Sequence, residues 1–188
     1  MKSFQLGILC TALIVCSAAP AGAFGVGAKM GYRTVADSAV SDAYDLDQGA
    51  LSTELFADLG LFPLLSIELG GGSFNLDGSG EGSEGELEVS YAVATGKVHL
   101  PADDIELYAG LGYGYYSLSY SGRLADLLDD NAVTGMHGVA GIGFYPVRPL
   151  LIFLEGRYSV IEDSPAGPSG GVLDLGGLLI QAGVSLSW

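Results

Sequence analysis

Apolar residues alternate with polar or small ones at a period of two in eight separate segments between Gly25 and Trp188. No continuous apolar run in that span is long enough to be a membrane-crossing helix. A period of two sends successive side chains to opposite faces of a strand, so each segment has one apolar face and one polar or glycine-rich face. In the fifth segment Leu107, Ala109, Leu111, Tyr113 and Tyr115 alternate with Glu106, Tyr108, Gly110, Gly112 and Gly114. In the seventh, Ile152, Leu154, Tyr158 and Val160 oppose Phe153, Glu155, Arg157 and Ser159. The fourth sets Leu87, Val89, Tyr91 and Val93 on the apolar face against Glu88, Ser90, Ala92 and Ala94. Carried onward, that phase puts Lys97 and His99 on the apolar face beside Pro101, where a charge can snorkel to an interface.

Mean hydropathy is positive although no helix can span. A membrane β-barrel has this signature, because only alternate residues meet lipid and closure satisfies every backbone group. Each segment approaches the ~9–11 residues of a tilted transmembrane strand. The expected fold is all-β, an eight-stranded antiparallel up-and-down transmembrane β-barrel. The connections support it by alternating in kind. Short ones carry proline at Phe62-Pro63, Pro101-Ala102-Asp103-Asp104 and Pro146-Val147-Arg148-Pro149. Long polar ones cover 37–48, 75–86, 121–133 and 161–174. Proline fixes a turn and cannot extend a hydrogen-bond ladder.

Residues 1–23 have the form of a cleaved secretory signal: Lys2, an apolar run from Leu6 to Ala19, then Ala21-Gly22-Ala23. A lipoprotein cut before Cys16 is disfavoured by Val15. Cleavage before Phe24 leaves a barrel domain over 24–188. Both cysteines lie in the leader, so no disulfide or thiolate site is expected in the mature chain.

An eight-stranded barrel has an interior that side chains just fill. Glycines on the inward set (Gly110, Gly112, Gly114, Gly141, Gly143) suit that limit. The inward phase also carries Lys29, Arg33, Glu54, Asp58, Glu68, Glu106, His137, Glu155 and Arg157. Charges in so narrow a lumen must pair or be hydrated. The expectation is a salt-bridged network that occludes the pore. Tyr32, Tyr113, Tyr115, Tyr116 and Tyr120 at one end, and Phe62, Phe144, Tyr145 and Trp188 at the other, suit interfacial aromatic girdles.

The last eight residues, Gln181 to Trp188, resemble the assembly signal of outer-membrane proteins: polar Gln181, Gly183, then Leu186 and terminal Trp188 in the hydrophobic slots. That resemblance implies recognition by the barrel-assembly machinery. The stretches Glu106–Gly114 and Gly138–Tyr145, with Glu155-Gly156-Arg157-Tyr158, resemble the outer membrane protein β-barrel domain family, which includes small barrels of the OmpA, OmpX and OmpW type. The resemblance spans the mature chain and implies a bacterial outer-membrane address; it is poor for activity, since one scaffold hosts many roles.

The formal charge of −15, from 22 acidic and 7 basic residues, opposes nucleic-acid binding. Acids concentrate in the long connections: Asp37, Asp42, Asp45 and Asp47; Asp77, Glu81, Glu84 and Glu86; Asp126, Asp129 and Asp130; Glu162, Asp163 and Asp174. They make a solvated outer surface, with divalent cations bridging them to lipopolysaccharide phosphates as the alternative. Asp77-Gly78-Ser79-Gly80-Glu81 is too short for a calcium loop. No catalytic residues, cofactor or metal site are expected: His99 and His137 are the only histidines, and neither has an adjacent serine-rich motif. The expected role is structural or interactive, with outer-membrane lipid and lipopolysaccharide as surroundings. A narrow pore or conduit for small or hydrophobic solutes is the alternative. A soluble lipocalin-like barrel would need the faces reversed.

Overall fold

The computed structural model describes residues 24–34, 49–78, 85–122, 131–161, 164–166, 171–173 and 175–188. The expected leader and most of the long connections lie outside them. So do the acids assigned to those connections, except Asp77 and Glu86.

The chain forms β1 (Phe24–Thr34), β2 (Gly49–Phe62), β3 (Leu65–Gly78), β4 (Gly85–Ala102), β5 (Ile105–Tyr120), β6 (Asn131–Val147), β7 (Leu150–Ile161), the short pair β8 (Ser164–Ala166) and β9 (Gly171–Leu173), and β10 (Gly177–Ser187). Eight of them close a barrel in the order β1-β10-β7-β6-β5-β4-β3-β2, all neighbours antiparallel. β8 and β9 form a separate hairpin within the β7–β10 connection. At the seam, Phe24 and Trp188 exchange backbone hydrogen bonds of 3.1 and 2.8 Å, and their rings stack with centroids 5.9 Å apart.

Exposure decides which face is which. Leu111 is 74% exposed and Leu55 68%, whereas Glu155 is 0% and Arg157 1%. Apolar side chains therefore point outward along the barrel wall and the charges point inward, which excludes the reversed lipocalin-like arrangement. The strands run longer than a bilayer needs, up to 18 residues in β4. β3 and β4 stay paired out to Gly78 and Gly85, so Asn75–Asp77 and Glu86–Glu88 belong to strands and not to a 75–86 loop. The short connections are two-residue turns at Pro63-Leu64, Asp103-Asp104 and Arg148-Pro149. Asp103 has φ 53°, a left-handed conformation that Asp tolerates better than most residues.

The phase of β4 differs from the sequence reading. Leu87, Val89, Tyr91 and Val93 are all buried inside the barrel, and Ala92, Ala94, Gly96, Val98 and Leu100 face outward. Lys97 consequently points into the lumen at 5% exposure, and His99 is half-buried there. The cause is the lumen's own composition. Its long-loop half is an apolar core in which Phe74, Leu76, Leu87, Val89, Tyr116 and Leu118 pack with little or no exposure. There both faces of the wall are hydrophobic, and polarity cannot distinguish them. The same core takes in Tyr116 and Tyr120, and Tyr145 turns inward at the opposite rim, so these three leave the girdles assigned to them. Tyr32, Tyr113, Tyr115, Phe62, Phe144 and Trp188 are exposed.

Interior glycines make room for rings. A Cβ on Gly141 would overlap the ring of Tyr108 on the paired strand. That ring cannot swing aside: its hydroxyl donates to Glu155 Oε2 at 3.0 Å and Lys97 Nζ sits 4.6 Å from its centroid. Gly141→Val is expected to destabilise the barrel by about 1–3 kcal/mol through overpacking. Gly138→Val, where a Cβ meets nothing closer than 3.7 Å, should be near neutral. Denaturant titration of the two refolded variants separates these outcomes.

Candidate functional site

Midway along the lumen, β1, β2, β3, β4 and β7 converge on three cations and three carboxylates. Lys29 Nζ lies 2.6 Å from Glu68 Oε1 and 3.2 Å from both Glu54 Oε1 and Glu155 Oε1. Lys97 Nζ repeats the pattern from β4, 2.6 Å from Glu68 Oε2 and 3.2 Å from Glu155 Oε2. Arg157 grips Glu54 with both terminal nitrogens, donating at 2.6 and 3.0 Å. Its Nη2 also lies 3.6 Å from Glu155 Oε1. Gln181 Nε2 donates to Glu155 Oε1 at 2.6 Å.

These six charged residues are at most 5% exposed. Burying each ion costs several kcal/mol, and only close pairing with filled hydrogen-bond sites repays it. Three positive and three negative charges cancel, and the two-pronged Arg157–Glu54 contact has the geometry in which guanidinium and carboxylate bind best. Aromatic faces complete the lining: Lys29 Nζ is 4.6 Å from the Phe56 centroid, as Lys97 is from Tyr108. The result is a charge-balanced polar plug across the lumen.

Of the inward charges named from sequence, Lys29, Glu54, Glu68, Glu155 and Arg157 meet in this plug. Arg33, Asp58, His137 and Glu106 do not. Arg33 sits higher, donating to the Leu175 carbonyl at 2.7 Å with its guanidinium 4.9 Å from the Phe74 ring centre. His137 Nε2 pairs with Thr95 Oγ1 at 2.8 Å. Glu106 belongs to a separate chain below. Lys97, Tyr108 and Gln181 were not assigned to the network from sequence. Gln181 and Tyr108 were nonetheless in the inward phase. Only Lys97 required the inversion of β4, signalled by its two-residue spacing from Thr95 and His99.

Below the plug, at the short-turn rim, five side chains form a hydrogen-bonded chain. Ser66 Oγ donates to Asp58 Oδ2 at 3.0 Å and lies 2.7 Å from His99 Nε2. His99 Nδ1 is 2.8 Å from Glu106 Oε1, and the Tyr145 hydroxyl donates to Glu106 Oε2 at 2.8 Å. These residues line a cavity of about 180 Å³ with Phe56, Phe62, Tyr108 and Phe153 in its walls. Serine, histidine and carboxylate stand in the order of a nucleophilic triad. The chemistry differs. The single hydroxyl hydrogen goes to Asp58, and a carboxylate flanks Oγ where acyl transfer would need donors for a developing oxyanion.

Gln181, Gly183, Leu186 and Trp188 all lie on or just beyond β10. Gly183 pairs with Phe153, and the ring lies over it: a Cβ there would come 2.7 Å from the Ala28 carbonyl and clash with Phe153. Leu186 and Trp188 face outward. Among the described residues no group of His, Cys, Asp and Glu is arranged to hold a metal ion.

A closed eight-stranded barrel with an apolar outer wall and a salt-bridged interior defines a small membrane-spanning β-barrel. The chain belongs to the outer membrane protein beta-barrel domain family, whose model matches residues 7–184. Its place is the bacterial outer membrane, and the short-turn rim is the periplasmic one in such barrels. No curated protein matches the sequence at a significant level. Among solved structures it is similar to OprG from Pseudomonas aeruginosa, with 14% identity over 90% of this chain and 97% of that one, and a TM-score of 0.66. Neisserial surface protein A shares 13% identity over 88% and 97%, with a TM-score of 0.61. Ail, the attachment invasion locus protein of Yersinia pestis, shares 15% over 89% and 99%, with a TM-score of 0.59. At such identities the likeness is one of fold.

Proposed function

We propose that this protein is an occluded barrel with a structural or interaction role at the cell surface, and that it is neither an open pore nor an enzyme. The observation that carries this reading is the neutral six-residue plug, with Lys29, Lys97 and Arg157 bound to Glu54, Glu68 and Glu155 inside a lumen lined by rings above and below. An ion crossing it would have to displace buried pairs, each costly to break. The acids of the long connections would then form the surface offered to the outside, in contact with lipopolysaccharide directly or through divalent cations. Gln181, Gly183, Leu186 and Trp188 would present the last strand to the assembly machinery after cleavage before Phe24. The Asp58 contact that takes the Ser66 hydrogen supports a non-catalytic role for the serine–histidine–glutamate chain.

Planar-bilayer recording tests the proposal. Purified, refolded protein is expected to show little or no steady conductance. A large, stable, weakly selective open channel would defeat it and favour the conduit alternative.

A further inference from the structure

The plug is neutral as a whole, and two of its members, Glu68 and Lys97, also line the cavity beneath it, where the Lys97 ammonium is held by Glu68 at 2.6 Å and Glu155 at 3.2 Å. Asp58 and Glu106 point into that cavity and take part in no contact with the plug's lysines or arginine within salt-bridge distance. Their partners are hydroxyls and one imidazole: Ser66, Tyr145 and His99. Two carboxylates thus face one histidine in a recess open to the periplasmic rim. Two cations weigh against them: Lys97, which lines the recess but is already paired with Glu68 and Glu155, and Arg148, 5.9 Å from the Tyr145 ring centre; the same rim carries Asp103 and Asp104 in the β4–β5 turn.

The walls add a second argument. Phe56 and Tyr108, which line the recess, each already hold a lysine ammonium 4.6 Å from the ring centre on the plug side. Phe62 and Tyr145 line the open side. A ring face beside a carboxylate in a partly dry recess is the surroundings an organic ammonium ion prefers, and a metal ion gains less from it. The volume of about 180 Å³ equals roughly six waters at ~30 Å³ each, enough for a short alkylamine and too little for a folded peptide.

We propose that the periplasmic vestibule is a binding site for a small primary ammonium ion, whose charge is taken by Asp58 and Glu106 and whose alkyl part lies against Phe62 and Tyr145. The site abuts the plug, whose Glu68 and Lys97 form part of its lining, and does not depend on whether the barrel conducts.

The test is a titration of ¹⁵N-labelled full barrel in phospholipid nanodiscs with n-butylammonium chloride. Arms with n-butanol, sodium chloride and magnesium chloride at matched concentration and ionic strength run beside it. Saturable amide shifts are expected at the vestibule, around Asp58, Ser66, His99, Glu106 and Tyr145, from the amine alone. Combining Asp58→Asn with Glu106→Gln should weaken binding at least about tenfold, while Asp77→Asn at the opposite rim leaves it unchanged. The proposal is overturned by unsaturating shifts, by shifts confined to the long-loop rim, by an equal response to butanol or magnesium, or by unaltered binding in the double variant. Should that variant fail to refold, the wild-type map of amine against alcohol decides alone.

Discussion

Arg157→Ala is expected to lower the unfolding free energy of the barrel by about 3–5 kcal/mol, the usual penalty for leaving one member of a buried ion pair alone. The size follows from what stays behind. Glu54 loses two donors at 2.6 and 3.0 Å, and no other cation can replace them, because Lys29 is already shared among three carboxylates. The six-residue balance becomes two positive against three negative charges, all of them on residues at most 5% exposed. Removing both partners, as Arg157→Met with Glu54→Met, should recover most of the loss, since apolar replacement of a buried pair is often neutral. Loss of the heat-dependent shift in electrophoretic mobility, followed against urea in lipid vesicles, measures Arg157→Ala, the two single methionine variants and the double variant alike. Additive losses in the double variant would show that Arg157 and Glu54 do not act as a pair. Brief channel openings should also appear in Arg157→Ala where the parent is silent.

What could be read from sequence depended on how different the two faces of each strand are. On β7, Glu155 and Arg157 stand between Ile152, Leu154, Tyr158 and Val160, so polarity alone fixed the face, and the structure has the same one. β10 is equally unambiguous, with Gln181, Gly183 and Ser185 against Ile180, Ala182 and Val184. The eightfold repeat and the alternation of short with long connections then left little choice of topology. β4 failed because two environments meet along it. Its first half crosses the apolar part of the lumen, so Leu87, Val89, Tyr91 and Val93 were assigned to lipid, while small Ala92 and Ala94 looked like interior fillers. Yet Thr95, Lys97 and His99 continue the buried phase without a break. A strand keeps one phase unless a bulge intervenes. Its register to β3 and β5 shifts nowhere between Leu87 and Val98. Weighing the whole strand would have favoured the inward lysine over the snorkelling one.

That inversion also explains why the plug was incomplete in sequence. Without Lys97 the inward cluster of Lys29, Arg157, Glu54, Glu68 and Glu155 has two cations for three carboxylates, an arrangement that buried charges resist. The hydrogen-bonded chain at the periplasmic rim was hidden for the same reason, since His99 is its centre. Of its other members, Asp58 and Glu106 were visible singly as inward acids, and Tyr145 only as an interfacial aromatic. Nothing in their spacing announces that strands β2, β3, β4, β5 and β6 bring them together, because their contacts cross up to 39 residues of chain.

Ala94→Arg is expected to cost about 2–4 kcal/mol, because the structure places this residue on the outer wall well inside β4, where a lipid-facing charge has no interface within easy reach. Ala94→Leu should be close to neutral, since the larger apolar side chain enters lipid and not the packed lumen. If β4 instead had the phase in which Leu87, Val89 and Val93 face lipid, position 94 would point inward. A leucine would then collide with the interior, and an arginine could join the charged plug. The two phases therefore predict opposite rankings of the same two variants. Measured by denaturant midpoint in vesicles of one lipid, arginine below leucine supports the outward Ala94. The reverse order would require turning β4 over, and with it Lys97 and His99 out of the lumen. Cysteine placement gives an independent reading, because both cysteines of the chain lie within the first 23 residues. Introduced into a protein starting at Phe24, Ala94→Cys should react with a lipid-soluble maleimide and Val93→Cys should resist it. This follows from their exposures: Ala94 is exposed, and Val93 is 5% exposed behind the wall.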